Sequence, residues 1–246
     1  MNKKPMLLAL FAALTQAATA GSMGPAQPLW SYVATLSAGP VWAMNGETQN
    51  LFITPEVERA YINPHTDNAM AYGELFLGIQ KPMTPIVSWQ LGLAVATTSN
   101  ANFAGVVWDD ADPVLNNFLY SYTVQHTHLA AKGKLLFNTG MVLLPWVGAS
   151  LGVAWNNLSD FNTTPIIFPA LPITVFSDAN TTAFTYTAEA GLQYLITPNW
   201  QVGASYQFAD WGQTVSGSVI EPVSGTFFTA NHIYTNGVLF NITYSA

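Results

Sequence analysis

The chain has 246 residues, of which 50% are hydrophobic and only 8% charged, with 6 Lys+Arg against 13 Asp+Glu and no cysteine. Soluble domains carry about 25% charged residues, so an ordinary soluble surface is excluded. An acidic balance without a basic patch argues against nucleic acid as a partner, and the absence of cysteine excludes a disulfide framework and thiol chemistry.

The chain opens with a basic "MNKK", continues with the apolar "MLLALFAALTQA" and reaches the small-residue site "ATA" at Ala18–Ala20. That pattern predicts a secretory signal peptide over 1–20, cleaved after Ala20, and leaves 21–246 as one domain. Losing Lys3 and Lys4 would leave four basic and thirteen acidic side chains, a formal charge of −9. Beyond residue 20 no stretch reaches the roughly 18 uninterrupted apolar residues of a spanning helix. An apolar, charge-poor chain without helical spans fits a transmembrane β-barrel, whose apolar residues occupy alternate positions.

Period-2 patterning predicts eight strands, roughly 30–44, 68–80, 86–98, 118–135, 144–156, 182–196, 200–212 and 232–244. In "IVSWQLGLAVAT", Val87, Trp89, Leu91, Leu93 and Val95 share one face, and Ser88, Gln90, Gly92, Ala94 and Ala96 the other. "FTYTAEAGLQYL" and "WQVGASYQF" alternate in the same way, with Gln207 on the small, polar face of the second. Connections 81–85, 137–142 and 197–199 are short, whereas 45–67, 99–117, 157–181 and 213–231 are long. Short turns at one end and long loops at the other predict an all-β, eight-stranded antiparallel outer-membrane barrel. A soluble lipocalin-type barrel would carry its charges outside, and these charges lie elsewhere.

Ten of the 13 acidic residues fall in the long connections: Glu47, Glu56, Glu58, Asp67, Asp109, Asp110, Asp112, Asp160, Asp178 and Glu221. Asp210 sits at a strand rim, and only Glu74 and Glu189 fall inside strands. In "TVQHTHLAAKGK", His126, His128, Lys132 and Lys134 share one parity. Charge on a lipid face is costly, so this parity must face the lumen. Glu74, Lys132 and Glu189 lie at comparable depths from the short turns. An eight-stranded barrel is just wide enough for side chains to fill. The expectation is a lumen charge cluster of Glu74, Lys132 and Glu189, bordered by His126, His128 and Lys134.

The two histidines could supply two metal ligands, but a catalytic site needs a third and an open position. His65 and His232 lie in or beside loops with no further motif. No metal site, cofactor or catalytic residue is expected. Trp30, Tyr32, Trp42, Trp155, Tyr194, Trp200, Trp211, Tyr234 and Tyr244 cluster near predicted strand ends, where amphipathic rings would form two interface girdles. The segment "TPIIFPALPITVF" is apolar and proline-rich, and Ile166, Ile167, Phe168, Leu171 and Phe176 are read as an apolar surface loop. The segments "NFAGVVW" and "GTFF" are also apolar. The alternative is that these segments fold over one another to cap the barrel, or extend the strands above the membrane.

The segments "PWVGASLGVAW" (145–155), "AEAGLQYLITPNWQVGASYQFADWG" (188–212) and "NGVLFNITY" (236–244) resemble the small outer-membrane barrels related to the OmpA transmembrane domain, OmpX and the opacity-type surface proteins. The likeness spans 30–246 as a pattern rather than a sharp motif. Members usually end on an aromatic residue, whereas this chain runs two residues past Tyr244. The resemblance implies the barrel fold and a Gram-negative outer membrane. It also implies a non-enzymatic envelope or surface-interaction role, with a small or low-conductance porin and a barrel-type lipid-modifying enzyme as alternatives. The partners it implies are outer-membrane lipid and, through the long loops, host or envelope proteins. The barrel is expected to be a monomer, and no cofactor is shared by the family.

Overall fold

The computed structural model describes residues 30–246 apart from 45, 67, 167–175 and 219–225. The expected signal peptide, and Ile167, Phe168 and Leu171 of the apolar loop, lie outside the described residues. The strands are β1 (Ser31–Ala43), β2 (Gln49–Thr54), β3 (Val57–His65), β4 (Met70–Pro82), β5 (Val87–Thr98), β6 (Ala101–Asp109), β7 (Asn116–Phe137), β8 (Leu143–Pro165), β9 (Ala179–Leu195), β10 (Trp200–Asp210), β11 (Thr214–Val215), β12 (Thr229–Ala230) and β13 (Tyr234–Ser245). A 3-10 turn, Pro113–Leu115, precedes β7.

Eight strands close a ring in the order β1, β4, β5, β7, β8, β9, β10 and β13, with β13 pairing back onto β1. Every pairing is antiparallel. Closure pairs the two terminal strands with each other, which keeps an open sheet edge out of the hydrocarbon. Tyr32 and Ala246 complete the seam by exchanging backbone hydrogen bonds of 3.1 and 3.0 Å.

Alternation sets the two faces. Leu91, Leu93 and Val95 of β5, Leu151 and Val153 of β8, and Phe240 and Ile242 of β13 are exposed on the outer wall. Their neighbours of opposite parity, such as Gln90, Ala94, Ser150, Asn241 and Thr243, are buried inside. Apolar outside and polar inside is the arrangement of a barrel whose solvent is lipid.

Two short turns are built alike. Thr84 accepts from the backbone N–H of Val87 at 3.0 Å, and Thr197 accepts from that of Trp200 at 3.1 Å. Each threonine is followed by proline, which presets the bend. The third short turn uses Gly140 at φ 75, a left-handed conformation glycine adopts without a Cβ penalty.

The long connections depart from expectation. Segments 45–67 and 99–117 are not loops but hold strands β2, β3 and β6. β6 contains all of "NFAGVVW", and the upper half of β7 pairs with it while the lower half pairs with β5. The order β2, β3, β6, β7, β8 therefore continues one side of the barrel upward as a wall. β7 and β8 run 22 and 23 residues, whereas about 9–11 suffice to cross a bilayer. Local composition could not reveal this, because the strands gain stability from partners far away in sequence. Glu58, Asp109 and Asp160 accordingly sit on strands, while Asp67 and Glu221 lie outside the described residues.

A bulge resets the register within β8. Between Ser121 and Thr123 of β7 the partner skips from Asn162 to Ser159. Asp160 takes φ 56 at this point. Inward parity is even at Asn156 and Leu158, then odd at Phe161 and Thr163. The bulge thus turns Phe161 toward the axis, as an inserted residue should.

Candidate functional site

The centre of the lumen holds a closed circuit of polar side chains. Lys132 of β7 donates to Glu74 Oε1 of β4 and Glu189 Oε1 of β9, both at 2.5 Å. Gln207 of β10 donates to Glu189 Oε1 at 3.1 Å and to the Tyr72 hydroxyl at 3.3 Å. Tyr72 of β4 donates to Glu74 Oε2 at 3.0 Å and closes the loop. Lys132 is 0% exposed. Its lateral neighbours are Gly92 on β5 and Ser150 on β8, both too small to screen the ammonium from carboxylates two strands away on either side.

Lys134 lies one layer nearer the short-turn end. Its Nζ sits 4.4 Å from the Trp146 ring centre and 5.4 Å from that of Phe76. Face-on placement of an ammonium over an aromatic ring is attractive and strengthens when water is excluded. The two lysines and two glutamates balance in formal charge, which buried ionic groups require. Below them Gln80, Gln90, Gln193 and Gln201 fill the bore, with Gln90 donating to Gln80 at 2.8 Å.

A second network stacks above the first. Asn156 donates to the carbonyls of Trp211 at 2.8 Å and Gln213 at 3.1 Å. Its amide protons are thereby used, so its oxygen accepts from His126 Nδ1 at 2.7 Å. His126 Nε2 then accepts from His128 Nδ1 at 2.8 Å. His128 ends the relay with a buried Nε2 that has no hydrogen-bond partner among the described residues.

Trp211 stacks on His126 with ring centres 4.6 Å apart and planes 8° from parallel. The sequence placed Trp211 in the interface girdle, but it is only 1% exposed. β10 ends at Asp210, and Gly212 at φ 73 folds the chain across the bore, so the indole closes over the histidines. Asp210 holds this turn by accepting from the Gly212 N–H at 2.8 Å, and His232 reaches its other oxygen at 2.8 Å.

Above Trp211, Tyr61, Phe103, Tyr120, Tyr122, Phe161, Phe176 and Phe228 form a packed aromatic cap. Tyr61 meets Tyr120 edge-on at 5.1 Å, and Phe161 meets Phe176 edge-on at 4.7 Å. Burial, with Tyr122 and Tyr61 alongside, pushes the Tyr120 hydroxyl far up, so it stays neutral. Phe176 was expected on the surface but is 2% exposed inside this cap. Backbone hydrogen bonds from Ser177 to Ser218 at 3.3 Å and from Gly217 to Ser177 at 2.7 Å hold the chain beside it, while Ile166 remains exposed.

The structure brings together Glu74, Lys132 and Glu189, stacks His126 and His128 above them, and sets Lys134 below. Trp30, Tyr32, Tyr194, Trp200 and Tyr244 are exposed at the short-turn end. Trp42 and Trp155 are exposed toward the other end, with Tyr234 half-buried. Sequence reasoning missed Tyr72, Asn156, Trp146 and Gln207 as network members. Their inward parity was readable, but the register was not: Gln207 stands opposite Glu189 and Asn156 opposite His126 on paired strands, Trp146 of β8 reaches Lys134 of β7, and Tyr72 meets Glu74 two residues along β4. Among the described residues, no group of three or more His, Cys, Asp or Glu is placed to hold a metal ion.

No protein-family profile matches the sequence, and no curated protein matches it. Among solved structures the chain is similar to Neisserial surface protein A, at 11% identity over 87% of this chain and 96% of that one, with a TM-score of 0.43. It is similar to the outer membrane protein OprG from Pseudomonas aeruginosa at 12% identity, over 88% and 96% of the two chains, with a TM-score of 0.43. It is also similar to the outer membrane protease OmpT from Escherichia coli at 9% identity, over 92% and 99%, with a TM-score of 0.46. The ring of backbone pairings and the apolar outer wall carry the architecture by themselves: the chain is an integral eight-stranded barrel of the outer-membrane type.

Proposed function

We propose that this barrel is a non-enzymatic surface-interaction protein, a monomer in the outer membrane, whose lumen is sealed by its own side chains. The observation that carries the reading is the circuit through Lys132. An ammonium bonded at 2.5 Å to carboxylates on two non-adjacent strands, with all three groups buried, reaches across the bore at that level. The Trp211 lid and the aromatic cap support the same reading from above. Function then belongs to the wall and loops beyond the membrane, where contacts with envelope or host proteins would be made, while the barrel serves as an anchor in lipid.

Planar-bilayer recording of the full chain tests this. The sealed barrel should give no discrete current steps across a wide voltage range. Regular steps from the wild-type chain, abolished by a bulky substitution such as Ser150→Leu in the lumen beside Lys132, would establish a pore instead. Lipid profiling of cells with and without the protein addresses the enzyme alternative: unchanged lipid A and phospholipid acylation is the expected result.

A further inference from the structure

The outer face of the wall carries a second apolar zone, separate from the membrane belt. Going up β7 on that face, Leu135, Ala131 and Leu129 give way to Thr127, Gln125, Thr123 and Ser121, and then to Leu119. Polar pairs cross the wall at the intermediate level: Thr97 with Thr127 at 3.0 Å, and Thr123 donating to Asn102 at 3.0 Å. Leu119 lies ten residues beyond Leu129, or about 33 Å along the strand and about 23 Å in height at a 45° tilt. That level is beyond the hydrocarbon.

Register makes the upper zone continuous. Ile62, Val106 and Leu119 are lateral neighbours on β3, β6 and β7. Trp108 lies two residues further along β6, Ile166 docks beside Asn117 of β7 through a 2.8 Å backbone bond, and Phe52 on β2 stands opposite Glu58. Phe52 is 61% exposed, Leu119 49% and Ile166 51%. An apolar sheet face of several strands in contact with water marks an interaction site.

Carboxylates border this face. Glu58 flanks Phe52, while Asp110 and Asp112 project from the turn just past Trp108 and are exposed. The nearby cation, Arg59, points to the other side, where it bonds Asp109 at 3.0 Å and covers the Phe118 ring at 4.8 Å. A second copy of the chain would bring the same carboxylates against one another, which disfavours self-association through this face.

The geometry points to a cationic amphipathic polypeptide as the partner of this wall. Its apolar side chains would cover Phe52, Leu119 and Ile166, and its lysines or arginines would meet Glu58, Asp110 and Asp112. The inference rests on the surface-interaction reading and names the partner class. Its failure is separable from failure of the sealed lumen, because one is read by binding and the other by conductance.

The test uses the full chain in phosphatidylcholine nanodiscs, with empty nanodiscs as control. The probe is a synthetic peptide of alternating lysine and leucine, and binding is followed by fluorescence anisotropy. The peptide should bind the wild type, and the affinity should fall as salt rises. F52S/L119S and E58Q/D110N should each weaken binding by about tenfold or more. I166S is a second apolar variant should the first pair fail to fold, as judged by heat-modifiable migration. Unchanged affinity in the apolar and charge variants overturns the inference. So does equal binding of an aspartate–leucine peptide, or sedimentation showing a wild-type dimer that F52S/L119S abolishes.

Discussion

Lys132 Nζ on β7 lies 2.5 Å from Glu189 Oε1 on β9, although β8 stands between those strands. It makes an equal bond to Glu74 on β4, across β5. One ammonium therefore ties an arc of five strands from the inside. Backbone ladders hold adjacent strands, whereas this pair of bonds acts over a longer span of the ring. The desolvation cost of three buried charges is large, and it is offset only while all partners are present.

Removal of one partner should therefore be severe. K132M leaves two carboxylates buried without their cation and is expected to cost about 3–5 kcal/mol. Urea unfolding from lipid vesicles, followed by tryptophan fluorescence, reads the loss. The quadruple variant K132M/K134M/E74Q/E189Q removes every buried charge at this level, Lys134 included, and should recover most of it. A K132M midpoint equal to wild type would show that the circuit does not hold the barrel.

Asn156 should anchor the lid. N156L deletes the bonds to the Trp211 and Gln213 carbonyls and to His126. Each buried group left unsatisfied costs about 1–3 kcal/mol. The expected outcome is local release of the Trp211 turn, seen as faster hydrogen exchange of the Trp211 and Gly212 amides while exchange in β9 and β13 stays slow. Unchanged protection at those two amides would dissociate Asn156 from the lid.

The cap should be separable from the membrane part. F161A opens a cavity among Tyr120, Tyr122, Phe176 and Phe228. Phenylalanine truncation in a packed core costs about 3–5 kcal/mol. Limited proteolysis should then cut the wall and loops more readily, while the heat-modifiable shift of the barrel persists. Loss of that shift would mean that cap and barrel fold as one unit.

A depth series along β7 locates the membrane boundary. L129R places a cation on the apolar belt and should cost about 2–4 kcal/mol, because the group meets hydrocarbon. Q125R lies on the same outer face four residues higher, in the polar band, and should cost no more than about 1 kcal/mol. Folding titrations in vesicles measure both. Equal costs would move the membrane boundary up the wall.

Alternation along β5, β9 and β10 assigned lumen and lipid faces to individual residues, because a strand has a period of two whatever its partners. Parity also placed His126, His128, Lys132 and Lys134 inside, since charge is excluded from lipid. Extension of the strands above the membrane was one reading of the apolar segments, but which residues form the wall strands, and which partners they take, was not legible. "NFAGVVW" reads as an apolar loop until β3 and β7 supply the ladders on either side of it. Trp211 looked like an interface ring because its local neighbours suit one, and only the Gly212 turn places it over His126. The bulge at Asp160 likewise reversed the face of everything beyond it on β8. The sequence by itself determined the strand faces, the short turns and the inward place of the charges, because these follow from local period and from the cost of charge in lipid. The tertiary structure alone decided which side chains meet across the bore, because that depends on the stagger of strands distant in the chain.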